Sequence, residues 1–332
     1  MADDERPFPW PLPENLEPYL GDPDRQPEQQ ERFKDSHNII REEITWPINE
    51  GNPFTDWGHF RMSRNVCRGE LSQALVYPEL DRDRREEIAE LAGMFELKDW
   101  KDGSLVKYSI LEPDPDTPRP EDGWPVVISS PGTGGIGAAG LSKSRFSDVM
   151  RWATPYYREH MPAVVVALHP QVRTVNYDNG PELTPAFDAY LELIEELASR
   201  PDVDRNRISI QGHSMGATSI WALVRRRPKL FSAAVPCAGT PLVDLAGFKT
   251  LTDTPFWMLI GHNDPWIGSS GYTWAYARLL EAGHEQVRYW EIQDIGHHHS
   301  PLRLAPIHQW MWSQRRDDDP NCPDNGSQED AE

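Results

Sequence analysis

The stretch Gly212-His213-Ser214-Met215-Gly216 places a serine between two glycines at G-x-S-x-G spacing. Arg207–Gln211 ahead of it has the character of a short strand. Met215–Arg227 behind it is a good helix former, with Ile220, Leu223 and Val224 as apolar positions. A sharp turn between strand and helix exposes a serine hydroxyl, and the flanking glycines let the two backbones approach. An ordinary serine in a surface turn is the plainer alternative. A free serine is a poor nucleophile, so the chemical reading needs a base and an acid that orients it.

Both follow in the chain. Asp264 leaves the carboxyl end of the apolar run Pro255–Ile260, where an orienting carboxylate belongs, although a turn-capping role would also suit it. Asp244 and Asp253 precede that run, and Asp294 lies beside the histidines in an unusual position for the acid. The run Val287–Ile292 leads through Gly296 to His297, His298 and His299. His297 is the expected base, because the small Gly296 lets the loop turn sharply off the last strand. His298, offset by one residue, is expected at the pocket rim as a substrate contact, with a solvent-facing position as the alternative. Three adjacent histidines also raise a metal site, but loop neighbours rarely share one ion and no H-E-x-x-H spacing accompanies them, so no metal ligand is assigned. Trp266, beside Asp264, is a candidate wall of the acyl pocket, a packing role being the alternative.

A second glycine motif allows a rival chemistry. Gly132, Gly134 and Gly137 satisfy G-x-G-x-x-G after the run Val126–Ser129, the fingerprint of a dinucleotide cradle. Pro131 ahead of the first glycine, the extended loop after Gly137, and His169-Pro170 where a ribose-binding acid would stand all weaken that reading. The other reading is an oxyanion hole, in which fixed backbone N–H groups face the charge that develops in acyl transfer. Its donors would be Met215, directly after the serine, and Thr133, directly after Gly132. No cofactor is expected on that reading.

These residues need a scaffold. The runs Val126–Ser129, Ala163–Leu168, Ile208–Gln211, Phe231–Val235 and Pro255–Ile260 are continuously apolar, as strands covered on both faces are. Between them Thr184 and Pro185 can cap and start a helix whose stripe is Phe187, Tyr190, Leu191 and Ile194. Another helix carries Tyr272, Ala275, Tyr276, Leu279 and Leu280 and stops near Gly283. Alternation of this kind implies an α/β fold with a mostly parallel central sheet flanked by helices, and a site at the strands' carboxyl ends. Phe95–Trp100 and Leu105–Leu111 flank a hairpin turn at Lys101-Asp102-Gly103. Residues 95–315 form the expected catalytic domain. Residues 1–35 read as an acidic, Pro-rich extension, disordered or draped over the body. Residues 36–94 read as N-terminal decoration, with a helix near Arg82–Met94, and 316–332 as an acidic, solvated tail.

Composition bounds the partners. Lys and Arg number 33 against 53 Asp and Glu, a formal charge of −20, which argues against nucleic acid and anionic membranes. No apolar run approaches the roughly 18 residues that span a bilayer. The three cysteines, Cys67, Cys237 and Cys322, cannot form a fully paired framework, although Cys67 and Cys237 could pair. The start shows no basic segment followed by an apolar one, so a soluble cytoplasmic protein is the plain expectation. A mature secreted or periplasmic chain in which Met1 replaces a removed signal is the other. Oligomeric state is not legible.

Taken together, these residues resemble the α/β-hydrolase superfamily, and more narrowly polyhydroxybutyrate-depolymerase-like and feruloyl-esterase-like serine esterases. The similar stretches are Val203-Asp204-Arg205-Asn206-Arg207-Ile208 leading into the Ser214 motif, Phe231–Pro236, Gly261-His262-Asn263-Asp264-Pro265, and Ile295-Gly296-His297. The resemblance implies Ser214 as nucleophile, Asp264 as acid, His297 as base, and Thr133 and Met215 as oxyanion donors. It implies a small-molecule or polymer-borne ester as substrate. Pro131-Gly132 replaces a frequent His-Gly, which also looks like the loop of cutinase-like enzymes, and Ala217 replaces a common third glycine. A serine peptidase of the same fold and a non-catalytic binding protein of that fold are the competing readings.

Overall fold

Ten strands and five helices of six residues or more alternate along the described part of the chain. The computed structural model describes residues 90–141, 147–178, 181–243, 246–261, 264–292, 297, 302 and 305–316. The N-terminal extension, nearly all of the decoration and the acidic tail lie outside these residues, as does Cys67. The strands are β1 (Glu96–Asp99), β2 (Val106–Leu111), β3 (Trp124–Ser130), β4 (Val164–Pro170), β5 (Val175–Asn176), β6 (Glu182–Leu183), β7 (Val203–His213), β8 (Ala233–Cys237), β9 (Phe256–Gly261) and β10 (Val287–Ile292). The helices are α1 (Pro155–His160), α2 (Pro185–Ala198), α3 (Met215–Arg226), α4 (Ser269–Glu281) and α5 (Ala305–Ser313).

Eight strands make one sheet in the order β1-β2-β4-β3-β7-β8-β9-β10. β2 runs antiparallel to both neighbours and every other pairing is parallel. Parallel strands need crossover helices, and those helices cover both faces, which is why the core strands read as unbroken apolar runs. Side chains alternate between the faces. Val126, Ile128, Ile208 and Ile210 pack with Tyr190, Ile194, Leu223 and Tyr272 of α2, α3 and α4. Val127, Val165, Val235 and Leu259 pack with Tyr157, Ile307 and Trp310 of α1 and α5.

Two local expectations are refined. Thr184 does occupy the N-cap of α2, but its hydroxyl makes no cap hydrogen bond. It donates instead to the Arg173 carbonyl at 2.5 Å, a tertiary acceptor that outcompetes the helix end. The β1–β2 turn is longer than a two-residue hairpin: Lys101 and Gly103 take φ of 54° and 72°, and the Asp102 carboxylate accepts from the Ser104 amide at 3.0 Å. Among the described residues no helix is long and apolar enough to cross a membrane.

Candidate active site

Strand β7 carries the serine to the middle of the sheet. Ser130↔Gly212 and His213↔Cys237 are in register, so the strand ends between β3 and β8. Ser214 then turns the chain into α3 with φ 55° and ψ −121°, a conformation that costs a residue with a Cβ on the order of 1–3 kcal/mol. Its amide donates to the Cys237 carbonyl at 2.8 Å, which holds the strained residue against β8.

His297 and Asp264 converge on it. The His297 Nε2 lies 2.9 Å from Ser214 Oγ, and Nδ1 lies 2.7 Å from Asp264 Oδ2. An ionised carboxylate only accepts, so Nδ1 carries the proton and Nε2 is left to accept from the serine. Asp264 is buried, and its other oxygen accepts from the Trp266 and Ile267 amides, both at 2.9 Å. With Oδ1 held by two amides, Oδ2 has a fixed direction toward the imidazole.

The two expected oxyanion donors are each the first residue of a helical segment. Met215 opens α3, and Thr133 opens the 3-10 turn Thr133–Gly135. First-turn N–H groups have no acceptor within their own helix, so both remain free of that demand. The loop lies against the serine. A Cβ built on Gly132 would come within 3.0 Å of Ser214 Cβ, so a side chain there would require the serine to give by a few tenths of an ångström. Trp266 is 65% exposed, yet its ring centroid is 4.7 Å from that of His297. It stands beside the base as a wall open to solvent. His298 lies outside the described residues.

Residues 183–286 match the prolyl oligopeptidase family. No curated protein matches the chain. Among solved structures, a thermostable esterase superposes with a TM-score of 0.57 at 24% identity, covering 68% of this chain and 64% of that one. The chain has the α/β-hydrolase fold. The acylaminoacyl peptidase of Pyrococcus horikoshii superposes with a TM-score of 0.50 at 17% identity, covering 71% of this chain and 45% of that one. The chain therefore spans less than two thirds of the length of either structure.

Within the α/β-hydrolase fold the loop after β3 is part of the serine's surroundings. The G-x-G-x-x-G run enters a 3-10 turn of three residues, and Gly137 donates its amide to the Pro170 carbonyl at 2.8 Å. A dinucleotide cradle would need a helix opening there to face the pyrophosphate. His213 is the residue that sequence reasoning passed over. It stands between Gly132 and His297, with its ring centroid 4.8 Å from that of His297 and its Nε2 2.6 Å from the His297 carbonyl oxygen.

Proposed function

We propose that the chain is a serine hydrolase of carboxylic esters that works through an acyl-enzyme. The observation that carries this reading is the hydrogen-bonded line Asp264–His297–Ser214, ending on a serine in a strained turn. In the reaction, Ser214 Oγ attacks the ester carbonyl carbon while its proton passes to His297 Nε2. The carbonyl electron pair moves to oxygen, where the Thr133 and Met215 amides receive the negative charge. Collapse breaks the bond to the alkoxy group, which leaves with the proton from His297. Water then repeats the sequence on the acyl-enzyme and releases the acid. Asp264 keeps the imidazolium oriented and balances its charge. These groups complete the cycle without a cofactor.

The substrate would be a small or polymer-borne ester, of feruloyl, acetyl or polyester type, and Trp266 would line the acyl side. Resemblance to polyhydroxybutyrate-depolymerase-like and feruloyl-esterase-like enzymes supports that range. A peptidase reading is favoured by the match of residues 183–286 to the prolyl oligopeptidase family. A panel of p-nitrophenyl esters of rising chain length with methyl ferulate, run against peptide p-nitroanilides, separates the two. Ester turnover well above anilide turnover supports the proposal, and the reverse order supports the peptidase. A chain that neither turns over nor is labelled by a fluorophosphonate is a binding protein.

A further inference from the structure

We propose that His213 is a positioning residue, whose Nε2–H donates to the backbone carbonyl of His297 and so fixes the main chain that carries the base. The proposal rests on the serine hydrolase reading. It adds a role for a side chain that takes no part in the Asp264–His297–Ser214 line.

His297 needs such an anchor. β10 ends at Ile292, so the base stands several positions beyond the last strand. Catalytic groups must be held within about 0.5 Å of their working geometry, and sites on loops are harder to hold than sites on strands. The bonds to Asp264 and Ser214 act on the imidazole ring, whereas the bond from His213 acts on the backbone that carries it. His213 belongs to the other class of support. It is the last residue of β7, an eleven-residue strand in the middle of the sheet, in register with Cys237 of β8.

The contact itself is specific. A carbonyl oxygen can only accept, so the 2.6 Å contact requires a proton on His213 Nε2. The acceptor is the carbonyl of His297 and not of a neighbour, so the bond acts directly on the base's own peptide. On its other side the ring abuts Gly132, where a built Cβ would lie 3.4 Å from His213 Nδ1. One side chain at the end of β7 thus lies against Gly132, after β3, and against His297, beyond β10. His213 thereby links positions beyond three strand ends, β3, β7 and β10, while Asp264 follows β9.

The test compares His213→Phe, which fills the space without a donor, with His213→Gln, whose amide nitrogen can reach the position of Nε2. In steady-state hydrolysis of p-nitrophenyl acetate, His213→Phe should lose about 10- to 100-fold in kcat with KM changed less than threefold, the penalty of a base displaced by part of an ångström. His213→Gln should recover most of that loss. A His213→Phe variant within twofold of the wild-type kcat would overturn the proposal, as would a glutamine variant no better than phenylalanine. If the phenylalanine chain does not fold, nitrogen NMR of the wild-type histidines decides: His213 should carry its proton on Nε2, and a neutral Nδ1–H tautomer would refute the bond. A wild-type chain that a fluorophosphonate leaves unlabelled removes the hydrolase reading and this proposal with it. A labelled wild type with an undiminished phenylalanine variant removes the proposal alone.

Discussion

Gly216 packs against the main chain of Ser130 so closely that a Cβ on it would sit 2.2 Å from the Ser130 carbonyl oxygen. The contact joins the first turn of α3 to the end of β3, and no rotamer change can relieve a clash between two backbones. Gly216→Ala should therefore destabilise the fold by about 1–3 kcal/mol or more and reduce ester hydrolysis by displacing Ser214. Urea unfolding reads the first effect. A midpoint equal to wild type would mean that the turn is looser than this packing implies.

Trp266 should separate activity from stability. Its ring meets His297 while most of it faces solvent. Trp266→Ala should change unfolding free energy by less than about 0.5 kcal/mol, as exposed substitutions do. kcat/KM for p-nitrophenyl esters should fall roughly 3- to 30-fold, a loss of about 0.6–2 kcal/mol of transition-state contact. A stability loss with unchanged kinetics would make it a packing residue.

Stability should fall in mild acid because of a buried pair between β2 and β4. His169 on β4 meets the Ser109 hydroxyl of β2 at 2.8 Å, and burial pushes its pKa down to about 4. Burial lowers His284 as well. Between pH 6.5 and 4 the unfolded His169 binds a proton that the folded one refuses, so stability rises with pH across that window and is lost as pH falls. The His169 share approaches about 3 kcal/mol. Denaturant midpoints taken at half-unit pH steps should show a shallower slope for His169→Gln than for wild type. Parallel slopes would contradict the assignment.

Two truncations test where the body ends. The Arg316 guanidinium donates to the Pro228 carbonyl at 2.9 Å, and its amide donates to the Asn206 carbonyl at 2.9 Å. Arg315 pairs with Asp204 and Asp122. A chain ending at Arg316 should melt near wild type, because Asp317–Glu332 has no apolar face. A chain ending at Ser313 should melt several degrees lower. Equal melting points for the two would show that the arginines contribute little.

Much of this was legible in residue types. β10 matches the strand expected at Val287–Ile292 residue for residue, although Arg288 and Glu291 stand within it. The helices at Pro185 and Met215 begin where proline and the serine turn place them. Ser214, Asp264 and His297, read from chain order and loop position, come together within hydrogen-bond distance. Other features had no local signal. β7 begins at Val203, five residues before the run Ile208–Gln211; Val203 stands opposite Trp124, the register shifts before Val126↔Ile208, and the polar stretch between carries no hydrophobic signal. The two-residue ladder of β5 and β6 is too short to show a period. The anchor at His213 spans 84 positions and ends on a backbone carbonyl, a group every residue has, so no residue type could announce it.

The most direct test of the account is the turnover of Ser214→Ala on p-nitrophenyl acetate beside wild type, with circular dichroism to show that both are folded. Removing one hydroxyl should lower kcat by at least ~10³-fold while leaving the spectrum and melting point close to wild type. A folded Ser214→Ala chain that hydrolyses the ester at the wild-type rate would contradict the serine mechanism outright.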